Sequence, residues 1–229
     1  MILSLTDHPL TVATVTQKAD LDFLEGAGIV TAEVLEFRLD NLFDSAEAAT
    51  KVMRTVENPA LLTVRRADEG GASDIPDETR LALYSQQLDA VELIDTEISS
   101  LESSSFAGFA DIVQKADVKL VASFHDFESW PGIDVIKAKV DAAYELGAEV
   151  PKIAIVIDEM KDLFTLAQLV EFHRSEGRLI SAMGMGPLGK VSRLLLAKAG
   201  SCLNYGYLHT PNAPGQWSAD DLKRLIAAL

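Results

Sequence analysis

Cysteine is almost missing from this chain. Cys202 stands alone among 229 residues, which excludes an intrachain disulfide and a cysteine-rich zinc site. No apolar run approaches the roughly 18–20 residues that cross a bilayer. The opening MILSLTDHPL lacks the basic flank and long apolar stretch of a signal peptide, so the sequence predicts a cytoplasmic protein. Basic charge is scarce too. Twenty Lys and Arg face 35 Asp and Glu, for a net charge of −15. Nucleic acid and anionic membranes both demand a basic surface, so neither is an expected partner. A small anionic substrate stays open, because a few arginines are enough to make a local positive pocket.

What is there describes a globular protein. Hydrophobic residues make up 48% and charged ones 24%, more apolar content than a disordered chain carries. No linker or low-complexity stretch divides the sequence, which predicts one domain over residues 1–229. Short β-rich runs alternate with amphipathic stretches. The strand-like runs begin at Leu10, Val34, Ala60, Ala90, Lys119, Pro151, Arg178 and Ser201. Several are apolar on both parities, as strands covered on both faces are. Helical spacing runs from about Ile133 to Leu146, Met160 to Arg174 and Gly189 to Lys198, with a last helix from Ser218. Gly147 suits a helix stop, and Ser218 with Asp221 three residues on suits a helix start.

Eight strand-like runs, each with room for a helix, suggest a (β/α)8 TIM barrel. About 28–29 residues per unit accommodate a strand, a helix and two loops. The rival is an open doubly wound sheet. It is disfavoured because no G-x-G-x-x-G follows the first strand and no P-loop motif is present. A barrel puts its chemistry at the C-terminal ends of the strands and in the loops after them.

Polar residues accumulate at those ends. The second run carries Glu36, Arg38 and Asp40 at period two, hence on one face. They either open into a polar cavity or form an ion-pair network that only closes the barrel. The third run ends in Arg65, and Glu69 and the pair Gly70-Gly71 follow. The fourth ends Asp95-Thr96-Glu97, where solvated loop charges are the ordinary expectation. The fifth ends in Ser123-Phe124-His125, and an imidazole there suits general acid–base work near neutral pH. His209, after the eighth run, is the reserve candidate. Lys152 lies in V-P-K-I-A-I-V, and its nearest carboxylates in sequence, Glu149 and Asp158, flank the run rather than enter it. Burial there would disfavour the ammonium and leave a neutral, nucleophilic amine. The alternative is a lysine at the strand's start, snorkelling from the barrel floor. Met183 and Met185 suit an apolar wall or barrel filling. A helix opening near Ser192 and Arg193 suits a carboxylate or phosphate, with a surface arginine as the alternative. Gln216 sits in a loop that either forms a lid or is ordinary connection.

These segments resemble one family. E-F-R-L-D at Glu36, T-V-R at Arg65, S-F-H-D-F around His125, P-K-I-A at Lys152, S-A-M-G-M-G through V-S-R at Arg193, and A-P-G-Q ending at Gln216 stand in the order of type I 3-dehydroquinate dehydratases. The resemblance implies a (β/α)8 barrel, commonly dimeric, that dehydrates 3-dehydroquinate to 3-dehydroshikimate in the shikimate pathway without metal or organic cofactor. It implies that Lys152 forms a Schiff base with the substrate ketone, that His125 moves protons and that Glu69 orients His125. Arg193 would hold the carboxylate. Glu36, Arg38, Arg65 and Gln216 would bind hydroxyls or order the pocket, and Met183, Met185 and Tyr205 would wall it. Ala213 would line the lid. Asn212 stands where the family usually has Ser, and Thr14 where a first-strand Ser aligns. The chain starts close to its first strand, which implies that it lacks the N-terminal extension covering the barrel floor in longer relatives. Two rivals keep the barrel: a class I Schiff-base aldolase, which calls for a phosphate site after the seventh and eighth strands, and a non-enzymatic small-ligand binding module.

Overall fold

The computed structural model describes residues 4–5, 9–26, 28–211 and 215–229. Eight strands are the frame: β1 (Leu10–Val15), β2 (Val34–Arg38), β3 (Ala60–Thr63), β4 (Leu93–Glu97), β5 (Lys119–Asp126), β6 (Val150–Val156), β7 (Ser181–Met185) and β8 (Leu203–Tyr207). Every paired neighbour is parallel, and the order is β7-β6-β5-β4-β3-β2-β1-β8. Around them lie α1 (Lys18–Glu25), α2 (Ala46–Met53), α3 (Asp77–Ser85), α4 (Ile98–Leu101), α5 (Phe109–Lys115), α6 (Ile133–Glu145), α7 (Met160–Ser175), α8 (Gly189–Ala199) and α9 (Ala219–Ala227). This is the TIM barrel expected of the sequence. No helix among the described residues is long and apolar enough to cross a membrane.

The barrel closes between β7 and β8 by a seam rather than a regular ladder. Cys202 N–H donates to Ile180 O at 2.9 Å. Two serines do the rest: Ser181 Oγ donates to Leu203 O at 2.7 Å, and Ala182 N–H donates to Ser201 Oγ at 3.0 Å. Elsewhere the predicted boundaries shift inward. The fourth run starts at Leu93 rather than Ala90, the seventh at Ser181 rather than Arg178, and the eighth at Leu203 rather than Ser201.

Strand alternation separates two kinds of interior. Outward residues such as Ile153, Ile155 and Ala182 pack against Ile136 and Val140 of α6, Leu163, Leu166 and Val170 of α7, and Leu196 of α8. Inward residues of all eight strands, including Val12, Val34, Leu61, Leu93, Val121, Val150, Met183 and Leu203, form a separate apolar cluster that fills the barrel. One step of two residues further along several strands, the same inward face turns polar. Val12 gives way to Thr14, Val34 to Glu36, Leu61 to Thr63, Leu93 to Asp95, Val121 to Ser123 and Val150 to Lys152, all buried. The apolar half holds the fold together and the polar half, at the C-terminal ends, builds the site.

Local signals set the helix limits. Ser218 Oγ accepts from Asp221 N–H at 3.1 Å and starts α9, as the spacing predicts. Gly147 follows α6 at φ +88°, a conformation that side chains with a Cβ resist.

Candidate active site

The cavity at the C-terminal mouth of the barrel has an empty volume of about 580 Å³ including its opening, the size of a small-molecule site. The structure brings twelve of the sequence-predicted residues to its lining: Thr14, Glu36, Arg38, Arg65, Glu69 and His125 from the first half of the chain, and Lys152, Met183, Met185, Arg193, Tyr205 and Gln216 from the second. Asn212 and Ala213 lie outside the described residues. Gly70, one of the paired glycines of the sequence, joins the lining, as do Phe127 and Ala154, which were not singled out.

Lys152 is the third residue of β6, opposite Ser123 of β5, and is only 4% exposed. It points into the barrel, so the snorkelling alternative is set aside. It is not, however, an isolated amine. Nζ donates to Asp95 Oδ2 at 2.6 Å and lies 3.9 Å from Glu36 Oε1. Asp95 comes from β4, 57 residues away in sequence, so inspection of the sequence neighbours of Lys152 missed it. Nor are Asp95 and Glu97 solvated loop charges: both are fully buried. The physical reason is parity. Both sit on the inward face of β4, where Arg65 meets them.

Arg65 bridges the two carboxylates. Its Nη2 donates to Asp95 Oδ1 at 2.7 Å and its Nη1 to Glu97 Oε1 at 2.9 Å and to Ser123 Oγ at 2.6 Å. Burial alone would push the Asp95 carboxyl up, but the cations Arg65 and Lys152 outweigh it and hold it well below the usual range. Glu97 also pairs with Arg80 of α3, whose guanidinium is fully buried and reaches Asp77 at 2.9 Å and Ser100 Oγ at 2.9 Å. A continuous ion-pair chain therefore runs from Lys152 through Asp95, Arg65 and Glu97 to Arg80 in the helix layer. Removing Arg80 takes from the fully buried Glu97 one of its two cations, the other being Arg65. Arg80→Met is expected to cost about 3–5 kcal/mol in urea unfolding; a loss well under 1 kcal/mol would mean that the chain is not structural.

His125 stands two residues further along β5 than Ser123 and on the same inward face. Its Nδ1 lies 3.1 Å from Glu69 Oε2, while Ser99 Oγ donates to Glu69 Oε1 at 2.7 Å. Donation from Nδ1 to Glu69 leaves the Nε2 lone pair free to act as a base. Burial, then the cations Arg65 and Lys152, hold the imidazole pKa well below 6.5, against the opposing pull of Asp95. Burial raises the Glu69 carboxyl, partly offset by its bond from Ser99. Phe127 stacks on the imidazole with ring centroids 6.0 Å apart, and it closes over Gly70, which has φ +84° and no room for a Cβ.

The remaining charges sort cleanly. Asp40 is a brace: it takes a two-pronged bond from Arg38 at 2.9 and 2.7 Å and accepts from Arg65 N–H and Ala72 N–H. Of the two readings of the second run, Glu36 faces the cavity and Asp40 fixes the loops around it. Glu36 also accepts from Thr63 Oγ1 at 2.8 Å. Ser192 is occupied structurally. Its hydroxyl accepts from Gly184 N–H at 3.0 Å and donates to Gly189 O at 2.8 Å. Arg193 is 2% exposed, not a surface residue. Its Nη1 donates to Tyr205 O at 3.1 Å and its Nε to Gly215 O at 3.4 Å, and it has no carboxylate partner among the described residues. Unopposed burial lowers its pKa to about 10. A buried guanidinium on a cavity wall, with no carboxylate beside it among the described residues, is chemically suited to an external carboxylate. His209 sits elsewhere, with Nδ1 2.7 Å from Asp20 Oδ1. Among the described residues no three His, Cys, Asp or Glu side chains are placed to hold a metal ion.

Three kinds of likeness bear on this geometry. The family model described as Type I 3-dehydroquinase matches residues 9–229. A 3-dehydroquinate dehydratase of Shigella flexneri serotype 5b is 33% identical over 208 residues, covering 86% of this chain and 82% of that one. One from Escherichia coli strain SE11 is 33% identical with the same coverage. Among solved structures, the 3-dehydroquinate dehydratase of Geobacillus kaustophilus superposes with a TM-score of 0.85 at 24% identity, covering 97% of this chain and 91% of that one. The type I enzyme of Clostridium difficile, solved with covalently modified comenic acid, gives 0.85 at 25% identity, covering 96% and 92%.

Proposed function

The chain belongs to the type I 3-dehydroquinase family, hydro-lyases that convert 3-dehydroquinate to 3-dehydroshikimate in the shikimate pathway, and on that premise we propose how its own residues divide the work. Lys152 attacks the C3 ketone. The carbinolamine loses water, giving an iminium in which Nζ is bonded to C3. The iminium withdraws electrons and acidifies the C2 proton, which His125 removes to leave an enamine. The nitrogen lone pair re-forms C3=N as the C2=C3 electrons move to make C1=C2, and the C1–OH bond breaks. The departing hydroxyl takes a proton, directly or through water, from His125. Water then adds to C3 and frees Lys152. Atoms balance: one water is consumed in hydrolysis for each released in imine formation, and the net product is one water from C1 and C2.

The observation that carries this reading is the shared inward face on which Lys152 and His125 project into one cavity, which Arg193 also lines with no carboxylate partner among the described residues. Arg193 receives the substrate carboxylate. Glu36, Arg38 and Gln216 address its hydroxyls, and Thr14 and Arg65 order the wall. Met183, Met185 and Tyr205 supply the apolar side. By the family resemblance, Asn212 and Ala213 would add further substrate contacts. The covalently modified ligand in the C. difficile relative accords with a site that bonds its ligand.

The deciding experiment mixes the protein with 3-dehydroquinate and follows the absorbance of the conjugated enone. A rise is expected. Saturable binding without a rise would point to a binding module, and turnover of phosphorylated aldol substrates in its place would point to an aldolase.

We further propose a cytoplasmic homodimer. What supports pairing is a set of exposed apolar side chains on α7, where Met160, Phe164 and Phe172 are 42%, 54% and 56% exposed. Light scattering in solution decides it, a monomeric mass overturning the dimer.

A further inference from the structure

Tyr205 does more than wall the cavity. It lies on β8, 3% exposed, and Lys152 Nζ sits over its ring, 4.1 Å from the centroid. The face of an aromatic ring carries the negative lobe of its quadrupole, and the attraction for a cation grows where water is excluded. Lys152 is 4% exposed, so water competes little here. The Tyr205 hydroxyl, by contrast, is buried with no hydrogen-bond partner among the described residues. Among protein groups, the ring face is therefore what this residue offers the lysine.

The chemistry of the imine makes that face matter. As an ammonium, Lys152 has three N–H donors, one of them spent on Asp95 at 2.6 Å. As an iminium bonded to C3, the nitrogen keeps its positive charge but has one N–H. Directional hydrogen bonding to Asp95 and Glu36 is thereby reduced, while attraction to a ring face needs no N–H at all. We propose that Tyr205 is a catalytic residue that stabilises the cationic nitrogen of Lys152 through its ring face, most of all in the iminium. The phenol stays protonated: burial first, then the nearby carboxylates Asp95 and Glu36, raise its pKa well above 10, so the ring acts as a neutral quadrupole and not as an anion.

This inference rests on Lys152 as the imine-forming residue, and the two are separable by experiment. Position 205 is replaced by phenylalanine and then by singly, doubly and triply fluorinated phenylalanines. Each fluorine weakens the quadrupole with little change of shape. Imine formation is read in a single turnover by borohydride trapping with 3-dehydroquinate, and kcat and KM are measured alongside. Relative to the Tyr205→Phe parent, the trapped fraction and kcat are expected to fall stepwise with fluorine number. The total fall should be about two- to thirtyfold, with KM moving much less. A flat series overturns the proposal and leaves Tyr205 as a wall. A loss already complete in the Phe parent, with no further fall, overturns it as well, by assigning the role to the hydroxyl. If the unmodified protein traps no imine, the Lys152 reading itself fails. Tyr205→Leu, which has no ring, should fall below every member of the series; a Leu variant matching the phenylalanine parent would count against the ring.

Discussion

Lys152→Ala is expected to lose the borohydride-trapped adduct completely and to lower turnover about 10⁵-fold. The unmodified protein should gain the mass of a reduced substrate adduct on treatment with 3-dehydroquinate and borohydride. The variant should gain none. Folding is not what fails. Asp95 keeps Arg65 at 2.7 Å and Ser123 Oγ at 2.7 Å when the amine is gone, so its buried carboxylate remains compensated. The loss is therefore chemical, and a circular dichroism spectrum like that of the parent should accompany it. An adduct that survives in Lys152→Ala would move the imine to another lysine and detach the mechanism from this cavity.

The second large effect is at His125. His125→Ala is expected to reduce turnover about 10²–10⁴-fold, the usual contribution of a positioned acid–base group, while imine trapping continues. Separating the two readouts tests the division of labour: one residue captures the ketone and the other moves the protons. The pH profile adds a sign. The folded-state pKa of His125 lies below 6.5, pushed down by burial and by Arg65 and Lys152. The base is neutral, hence competent, above that value and is lost as it protonates. The acid limb of kcat/KM should fall below pH 6.5 and should vanish from the residual activity of His125→Ala. A limb centred above 6.5, or one that persists unchanged in the variant, would falsify the assignment of His125 as the base.

Both residues were legible in the sequence because each stands on a strand whose apolar run makes a polar inward residue conspicuous. The same logic located Glu36 and delivered the eight strands, while Arg65 stood out just past the third strand and Arg193 at the opening of a helix. That logic did not deliver Asp95. A barrel brings β4 beside β5 and places its inward carboxylate against a lysine of β6, and that contact depends on register and curvature that no local pattern encodes. Lys152 consequently reads as a lone amine in sequence and as one end of an ion-pair chain in space. Arg80 misleads in the opposite way. On α3, among Asp77, Glu78 and Thr79, it has the surroundings of a surface arginine, yet it is fully buried between Glu97 and the Phe106 ring. The first five helices escaped notice for a related reason. The longest of them, α3, has nine residues, and its buried side chains include Arg80 and Tyr84 rather than a plain apolar stripe. Asn212 and Ala213 fall outside the described residues, so their part in substrate contact rests on the family resemblance.

The serine-stitched junction between β7 and β8 has a consequence for which ligands the cavity tolerates. Met183 and Met185 belong to one side of it and Tyr205 to the other. Across any other pair of strands, widening the cavity means breaking a row of main-chain bonds. Here a single main-chain bond, Cys202 N–H to Ile180 O, and two serine hydroxyls that swing about single bonds join the sides, so this flank should widen more readily than the others. Inhibitors enlarged towards the methionines should be accommodated more readily than those enlarged towards β4 and β5, where Arg65 ties one strand to the other.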